Sequence, residues 1–354
     1  MPTAPPPTST IPIECYLFNI QRQLGESSTL EVGYNGAGHR HLQNQNNGAG
    51  LLPYNAPGLP PGTNVAPERR APYPEFPAGI ELTEGGGRGS YNGLSIKLNQ
   101  RFKWGLTSLI SYTWSKALDD GSAIRGNAVI GVANGDMYPQ NPLCRRCEKG
   151  QSAFNTRARL VSSILYELPL GKGKPLLNRG GFLNQVVGGW QTSAIVTAQS
   201  GRPLYPIAGW DAAGQIIQGN WDRLNATGLD PYLPADKQSA NQWFNTAGFS
   251  NVSAGQFGTM GRYSLNGPGV WNVDFSTIKN FRITERQSVQ FRVEGFNILN
   301  HPALGSPNMN WGGNSPTPSN PNFGQIRDFP GGAGFQRGTA FDMRQVQFAL
   351  KYIF

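Results

Sequence analysis

The feature that most constrains this chain is an alternation of apolar and polar residues with a period of two. It is clearest in the last nine residues, VQFALKYIF, where every second side chain is apolar and those between are mostly polar or small. Because alternate side chains of an extended chain point to opposite faces, this pattern predicts a β-strand with two chemically different faces. The apolar set consists of Val346, Phe348, Leu350, Tyr352 and Phe354.

Eight earlier segments show strand patterning, so we expect an all-β, antiparallel protein of about nine to ten strands. In the seventh and eighth, charged side chains such as Asp274 and Arg292 stand between apolar ones and need water on their face. Alternation alone fits a sandwich with an inward apolar face or an outer-membrane barrel with a lipid-facing one. The eight segments are ECYLFNIQRQL, STLEVGYNG, NGLSIKLNQRF, LTSLISYTWSK, ARLVSSILYELP, GGWQTSAIVTAQSG, VWNVDFSTIKNF and SVQFRVEGFNIL.

The connections between these segments alternate between short and long. GESS, KWG and RITERQ are short and LGKGKPLLNRGGFLN is modest, whereas the other four are several times longer and rich in Gly, Pro and Asn. Long loops without structure are uncommon in compact soluble domains. Outer-membrane barrels have short periplasmic turns and long extracellular loops. The pattern therefore predicts an antiparallel transmembrane β-barrel in the outer membrane, with its C-terminus in the periplasm.

Composition and motifs exclude several other classes. No apolar run is long enough for a transmembrane helix. The net charge of +9 comes from scattered pairs such as ERRAP, which indicates solvated loops and no nucleic-acid partner. GGGRGS and LGKGKP lack the spacing of a phosphate-binding loop, and no nucleophile elbow is present. We therefore expect no enzyme activity, no catalytic residues and no cofactor.

Cysteine and histidine spacing gives one pair of interest. Cys144 and Cys147 form a C-x-x-C motif in NPLCRRCEKG, far from Cys15. A structural zinc site needs a second ligand pair, which the sequence does not offer, so a small disulfide loop is the preferred reading over half of a metal site. His39 and His41 in the HRH stretch are expected to be solvated loop residues, His301 sits in a loop by NHPALG with no partners for a hydrolase, and no metal site is predicted.

The final strand has the form of an outer-membrane insertion signal, an aromatic last residue preceded by apolar residues at every second position. The barrel-assembly machinery of Gram-negative bacteria reads such a strand by pairing with its edge. We therefore expect Val346, Phe348, Leu350, Tyr352 and Phe354 to be read by that machinery. The alternative is the ordinary last strand of a sandwich.

Several motifs in order resemble the C-terminal barrel portion of Oar-like TonB-dependent transporters, from about residue 13 to the end. They include SYNGLSIKLNQRFKWGLTSLISYTWSKALDD, GGWQTSAIVTAQSGRPL, WFNTAGF, GTMGRYSLNGPGVWNVDFSTIKNF and FRVEGFNILNHPALGSPN. The resemblance implies a 22-stranded barrel that takes up or exports a ligand, here unidentified. It also implies outer-membrane lipid and lipopolysaccharide as surroundings, and a TonB complex that acts through an N-terminal plug.

The start of the chain shows neither a signal peptide nor the plug and TonB box of that family. An odd number of strands ending in the periplasm begins outside the cell, and an open edge in lipid is costly. We therefore expect residues 1–11 to be a disordered or loop-like start, part of an extracellular loop of a truncated parent, and residues 12–354 to be a partial barrel. Two alternatives remain open: a small passive or structural barrel, and a secreted β-sandwich binding module.

Overall fold

A computed structural model describes residues 13–42, 52–53, 73–76, 81–82, 86–102, 105–122, 140–141, 144–178, 181–214, 222–284, 286–327 and 343–354. The expected loop-like start at residues 1–11 lies outside these ranges. The main element is a sheet of nine long strands: β1 (Ile13–Leu24), β2 (Ser28–Leu42), β3 (Gly87–Arg101), β4 (Leu106–Asp119), β5 (Ala158–Glu167), β6 (Trp190–Gln199), β7 (Val270–Arg282), β8 (Ser288–Phe296) and β9 (Gln345–Ile353).

Each long strand pairs with the next one along the chain, and every pairing is antiparallel. A two-residue strand, Gly150–Gln151, pairs with the end of β4 and is the tenth member of the sheet. The nine predicted strands are all present, and they form one continuous sheet. A sandwich needs two sheets packed face to face. The expectation of an all-β, antiparallel fold of nine to ten strands is confirmed.

The strand register places most of the large apolar and aromatic residues of the nine strands on one face of the sheet, although a few, such as Leu109, Leu165 and Ile195, lie on the other. Directly paired residues share a face, and Phe348 of β9 pairs with Val293 of β8, as Leu350 does with Phe291. On the same face, towards the opposite edge of the sheet, one row across β1 to β4 consists of Phe18, Tyr34, Leu94 and Trp114. We call this the apolar face.

The opposite face is mainly polar, and hydrogen bonds connect side chains of neighbouring strands across it. Ser193 of β6 and Ser276 of β7 lie 2.8 Å apart through their hydroxyl oxygens. Gln347 of β9 donates to Glu294 of β8 over 2.5 Å. Because charged and amide groups need hydrogen-bond partners or water, this face is suited to a wet interior.

All the long connections leave the same end of the sheet. Strands β1–β2, β3–β4, β5–β6 and β7–β8 are joined at one end, and the longer connections β2–β3, β4–β5, β6–β7 and β8–β9 lie at the other. The β1–β2 turn takes only residues 25–27, with Gly25 at a positive φ of 67°. The C-terminus lies at the short-turn end. The short and long connections predicted from the sequence therefore lie at the two ends of this one sheet, which we call the wall.

The short-turn end contains a helix that the strand patterning did not predict. Helix α1 (Phe182–Val187) lies in the β5–β6 connection. Beside it, Lys279 stands on the apolar face but is 2% exposed, because its Nζ donates to the carbonyl of Gly188 and lies over the rings of Trp190 and Phe281. This lysine therefore turns towards the sheet end. In the described part of the chain, none of the helices has the length and hydropathy to cross a membrane.

The connections β6–β7 and β8–β9 fold into a compact unit, whereas the sequence suggested long loops without structure. Residues 201–214, 222–269 and 297–327 form this unit, which we call the loop lobe. Its small strands pair Pro203–Leu204 with Leu265–Asn266 and Asn225–Ala226 with Phe249–Ser250, and short 3-10 turns span Ala235–Lys237 and Thr246–Gly248. A further two-residue pair elsewhere joins Leu52–Pro53 to Glu81–Leu82.

The loop lobe has its own hydrophobic core. Its centre is a group of aromatic rings: Phe323 packs against Phe244, Phe249 and Trp311 with ring centroids 5.1–5.8 Å apart in edge-to-face geometry. Edge-to-face packing is the favoured arrangement of buried aromatic rings. The remaining core side chains are Leu204, Ala208, Leu224, Met260, Leu265 and Met309. The lobe is therefore a folded cap and not a set of independent loops.

Candidate functional site at the loop end of the sheet

Two buried ion pairs attach the loop lobe to neighbouring segments. Arg223 of the lobe donates to Glu148 over 2.6 Å, with 5% and 2% of the two side chains exposed. Arg262 of the lobe donates to Asp119 at the end of β4, also over 2.6 Å, and to the hydroxyl of Ser122 over 2.7 Å. Charge-assisted hydrogen bonds of this length are strong and directional. They fix the lobe against the end of the wall.

Gln140, in a short segment outside the lobe, also binds the lobe through two side-chain hydrogen bonds. The side-chain amide of Gln140 donates to the carbonyl of Gly258 over 3.0 Å, and its oxygen accepts from the backbone N–H of Arg223 over 2.8 Å. Gly258 also packs directly onto the carbonyl of Arg223, so that a Cβ would collide with this backbone oxygen. The sequence therefore needs glycine here for the close approach of two chain segments.

The β4–β5 connection presents two arginines on a small closed loop. Residues Arg145–Glu148 form a 3-10 turn. Cys144 and Cys147 are joined by a disulfide with a Cα–Cα distance of 5.3 Å. The bond encloses Arg145 and Arg146, the two middle residues of CRRC. The free cysteine, Cys15, lies exposed on β1.

This turn faces an open cleft of about 790 Å³ at the loop end of β1 to β4. The cleft is rich in cations: its lining includes Arg40, Arg88, Arg145, Arg146 and Lys149. Three carboxylates also line it, from Glu14, Asp119 and Asp120. We call this feature the cationic cleft.

Two of the three carboxylates in the cationic cleft are already neutralised. Asp119 is paired with Arg262 of the lobe at 2.6 Å, and Asp120 with Arg145 at 3.9 Å. Within the residues that the structure describes, Arg40, Arg88, Arg146 and Lys149 form no ion pair. Four unpaired cations therefore stand against the single remaining carboxylate of Glu14, and the cleft has an excess of positive charge.

The carboxyl group of Asp120 is partly buried, which disfavours its charged form. Burial raises the pKa of this carboxyl above its ordinary value, although the backbone N–H of Arg88 donates to it over 2.8 Å and Arg145 lies nearby. Arg145 Nη1 lies 3.9 Å from Asp120 Oδ2, beyond hydrogen-bond distance, and the Arg145 guanidinium lies against Gly86. A Cβ at Gly86 would approach Arg145 Cζ to 2.8 Å, so a larger residue here would displace the end of this arginine side chain.

The residues of the expected insertion signal lie on β9, an edge of the sheet. All nine residues of β9 are exposed, and Phe354, just beyond it, is 92% exposed. Val346, Phe348, Leu350 and Tyr352 all point to the apolar face, paired with β8, and the Tyr352 and Phe354 rings stack with centroids 5.9 Å apart. Among the described residues, the other edge of β9 pairs with no strand. This geometry leaves a free edge with its apolar side chains in phase.

His39 and His41 lie in β2, whereas the sequence suggested a loop. His39 lines the cationic cleft, and His41 adopts a positive φ of 57° at the end of β2. His301 in the lobe stacks on Trp271 of β7, with ring centroids 3.9 Å apart. Over the described ranges, no group of three or more His, Cys, Asp or Glu side chains is placed to hold a metal ion.

The most perturbed acid of the lobe is Asp222, whose side chain is fully buried. Burial raises the pKa of its carboxyl to about 7, and nearby Asp211 adds to this, against a hydrogen bond from the N–H of Ala213 at 2.7 Å. Its second oxygen, Oδ1, has no hydrogen-bond partner within the part of the chain that the structure describes. The protonation state of the lobe interior is therefore sensitive to pH near neutrality.

Sequence reasoning identified Cys144 and Cys147 but missed the site around them. The signal was in the CRRC motif itself, since a disulfide would hold two arginines in one tight turn. Lys149 directly follows this turn, whereas Arg40 and Arg88 come from β2 and β3, which only the strand register brings together. Nothing in the local sequence around Arg223 and Glu148 marks them as partners across 75 residues.

Comparisons with known proteins show the family of this chain. Among solved structures, the outer membrane transporter YddB from Escherichia coli is similar over 96% of this chain, with 7% sequence identity and a TM-score of 0.46. This chain spans 32% of the length of that transporter chain. No curated protein matches the sequence. Residues 3–347 match the family described as outer membrane beta barrel domain. The chain therefore belongs to the outer membrane beta barrel domain family.

Proposed function

We propose that this chain is the C-terminal part of the barrel of a TonB-dependent outer-membrane transporter or receptor that takes up or exports a ligand not yet identified. The observation that supports this proposal best is one continuous two-faced sheet whose long connections all leave one end, where two of them fold into a capping lobe. A lobe above a wet sheet face is suited to capturing a ligand before it enters a lumen.

The two edges of the sheet indicate a larger barrel. Within the described residues β1 and β9 pair on one side only, and all residues of both strands are exposed. An unpaired strand edge in hydrocarbon costs several kcal/mol per unsatisfied backbone group. Further strands of the parent protein, towards the 22 that the family resemblance implies, would satisfy both edges. Energy coupling would then come from a plug and TonB box of the parent.

The apolar face is assigned to the lipid and the polar face to the lumen. On this assignment Phe291 and Val293 contact acyl chains, whereas Arg292 and Glu294 contact water. The short-turn end and the C-terminus lie in the periplasm, and the loop lobe lies outside the cell. The barrel-assembly machinery would recognise β9 by pairing with its free edge.

Reading the gene upstream of Met1 tests the energy-coupled function. We expect a signal peptide, a plug domain and a TonB box in frame, and cross-linking of TonB to the parent protein in cells. A stop codon followed by a separate gene, together with outer-membrane barrels that never cross-link to TonB, would contradict energy coupling. That result would leave a passive or structural barrel as the function.

A further inference from the structure

We propose that the cationic cleft binds the phosphate of a lipid headgroup in the outer leaflet. This inference rests on the proposed function, because it takes the apolar face to be the lipid-facing one. It concerns a different part of the molecule from the lumen, and it names a binding site and the headgroup phosphate as its ligand, whereas the family resemblance implies only that outer-membrane lipids surround the barrel.

The cleft is lined from both faces of the sheet at its loop end. The row of His39, Gly89 and Asp119 belongs to the polar face, and a second row belongs to the apolar face, two rows beyond its last apolar row. Glu14, Gly38, Ser90 and Leu118 form one row across β1 to β4, and all four line the cleft. This row lies on the same face as the row of Phe18 and Trp114, four residues closer to the loop end. At about 3.3 Å per residue, the cleft therefore opens about 13 Å beyond the apolar row.

The row in between has the mixed character of a membrane–water interface. It contains Tyr16, Gly36, Asn92 and Lys116, again paired in register. The hydroxyl of Tyr34 donates to the side-chain oxygen of Asn92 over 2.6 Å. Aromatic rings with a polar tip and lysines are the residues that collect at the headgroup level of barrels. Polarity thus rises in steps towards the cleft.

The cations of the cleft are arranged for an anion that comes from this side. Arg40, Arg146 and Lys149 are exposed and form no ion pair among the described residues. Arg88 lies on the apolar-face side of β3, beyond Ser90. Guanidinium groups present several donors in a fixed plane and bind phosphate oxygens in pairs. Four unpaired cations against Glu14 favour a phosphate, which has three acceptor oxygens and up to two charges.

The disulfide makes this arrangement rigid before a ligand arrives. It closes the turn that holds Arg145 and Arg146, and the Arg145 guanidinium lies beside Gly86, with Nη1 3.9 Å from the Asp120 carboxylate. A preorganised site loses less conformational entropy when it binds. The long flexible side chain of Arg146 then has a fixed base from which to reach a headgroup.

The test compares two matched charge removals in the intact parent protein that contains this chain, purified in detergent and freed of lipid. The cleft variant is Arg40→Gln with Arg146→Gln. Neither arginine has an ion-pair partner among the described residues, so no carboxylate is left unpaired. The control is Lys172→Gln with Arg282→Gln, two exposed cations at the short-turn end. Heat-modifiable migration and near-UV circular dichroism check that both variants fold.

The probe is fluorescent lipid A with both phosphates, dispersed in the same detergent, and lipid A from which the phosphates have been removed. We expect the Kd for phosphorylated lipid A to rise at least about tenfold in the cleft variant, because two charge-assisted contacts are lost, and to stay within about twofold in the control. Dephosphorylated lipid A should bind the unaltered protein as weakly as phosphorylated lipid A binds the cleft variant. Equal losses in both variants, or equal affinity for both lipids, would overturn the proposal.

A binding measurement with inorganic phosphate distinguishes the two possible sources of the bound phosphate group, a lipid headgroup and free phosphate. If it binds with the Kd of lipid A and the same dependence on Arg40 and Arg146, the ligand is a free phosphate and the lipid source is wrong. Because binding is measured in detergent, the result does not depend on membrane insertion. Fractionation of cells gives the independent check: lipid A binding by a chain that never enters the outer membrane would contradict the proposed function, while leaving the cleft as a phosphate site.

Discussion

Arg223 Nη1 donates a hydrogen bond to Glu148 Oε2 over 2.6 Å, and both side chains are almost completely buried between the loop lobe and the disulfide-closed turn. The pair joins two segments that are 75 residues apart in sequence. Arg223 also lies over the Tyr205 ring, with its Cζ 6.0 Å from the ring centroid. Glu148 belongs to the turn that presents Arg145 and Arg146 to the cationic cleft. Loss of the ion pair should therefore loosen both the lobe and this turn.

Replacing Glu148 with Ala is expected to destabilise the lobe by about 3–5 kcal/mol, because it leaves the Arg223 guanidinium buried without a counter-charge. Glu167→Ala is the matched control. It removes an exposed ion pair with Lys174, 3.2 Å long, whose loss is worth at most about 1 kcal/mol. The rate of limited proteolysis within residues 201–269 of the detergent-folded protein measures the difference. Equal cleavage rates in the two variants would contradict a structural role for the buried pair.

The stability of the lobe should depend on pH through Asp222. Its carboxyl has a pKa of about 7 in the folded protein against an ordinary value of 3.8, and burial is the main cause. The folded state therefore holds a proton that the unfolded state releases, so the free energy of unfolding falls as the pH rises from about 4 to 7 and levels off above that. The fall is at most about 4 kcal/mol, since one pKa unit is about 1.4 kcal/mol.

Proteolysis of the lobe between pH 4.5 and 8 tests this dependence. The Asp222→Asn variant is expected to lose most of the slope, because it has no ionisable group at this position. Asp236→Asn, on the exposed 3-10 turn of the same lobe, should keep it. A lobe that becomes more resistant as the pH rises would show that another group dominates.

The disulfide between Cys144 and Cys147 should block both thiols on intact cells. We expect a membrane-impermeant maleimide to label neither residue in a Cys15→Ser background until a reductant is added, after which both are labelled. Because the bond fixes the base of Arg145 and Arg146, reduction should also weaken lipid A binding several-fold. Labelling without reductant would contradict the disulfide, and zinc that stays bound during purification would point to a metal site in its place.

Deletion of Phe354, or Phe354→Asp, is expected to abolish assembly of the parent protein into the outer membrane. The ring is 92% exposed beyond the end of β9, and its contact with the exposed Tyr352 is the one aromatic contact that it makes among the described residues, so its loss should leave their core packing intact. Lys351→Ala on the polar face of β9 is the control and should leave assembly unchanged. Normal outer-membrane levels of the Phe354 variants would contradict its role as part of an insertion signal.

The wall of this fold could be predicted from sequence because its signal is local. Alternation with a period of two fixes which residues share a face, and Phe348, Val293 and Leu94 all lie on the predicted side. The short and long connections fix which end each loop leaves. Both features need only neighbouring residues to be read, and every one of the nine strands was found in this way.

The lobe and the cleft could not be predicted because their contacts are long-range. Phe244, Phe249 and Phe323 meet in one cluster although no periodic pattern links them. Arg40, Arg88 and Arg146 come from three segments that look like unrelated solvated loops in sequence. Lys279 breaks the apolar pattern of β7, and only the carbonyl of Gly188 and the rings beside it show why a cation is tolerated there.

Single cysteines at positions 291 to 294 of β8, in a cysteine-free background, test the central claim most directly. The register places Phe291 and Val293 on the apolar face, and Arg292 and Glu294 on the polar face. In membranes, we predict that the cysteines at 291 and 293 react with a lipid-soluble maleimide and not with a charged one, and that those at 292 and 294 show the reverse. Protection of 291 and 293 from both reagents would place them in a protein core and contradict a membrane-spanning wall.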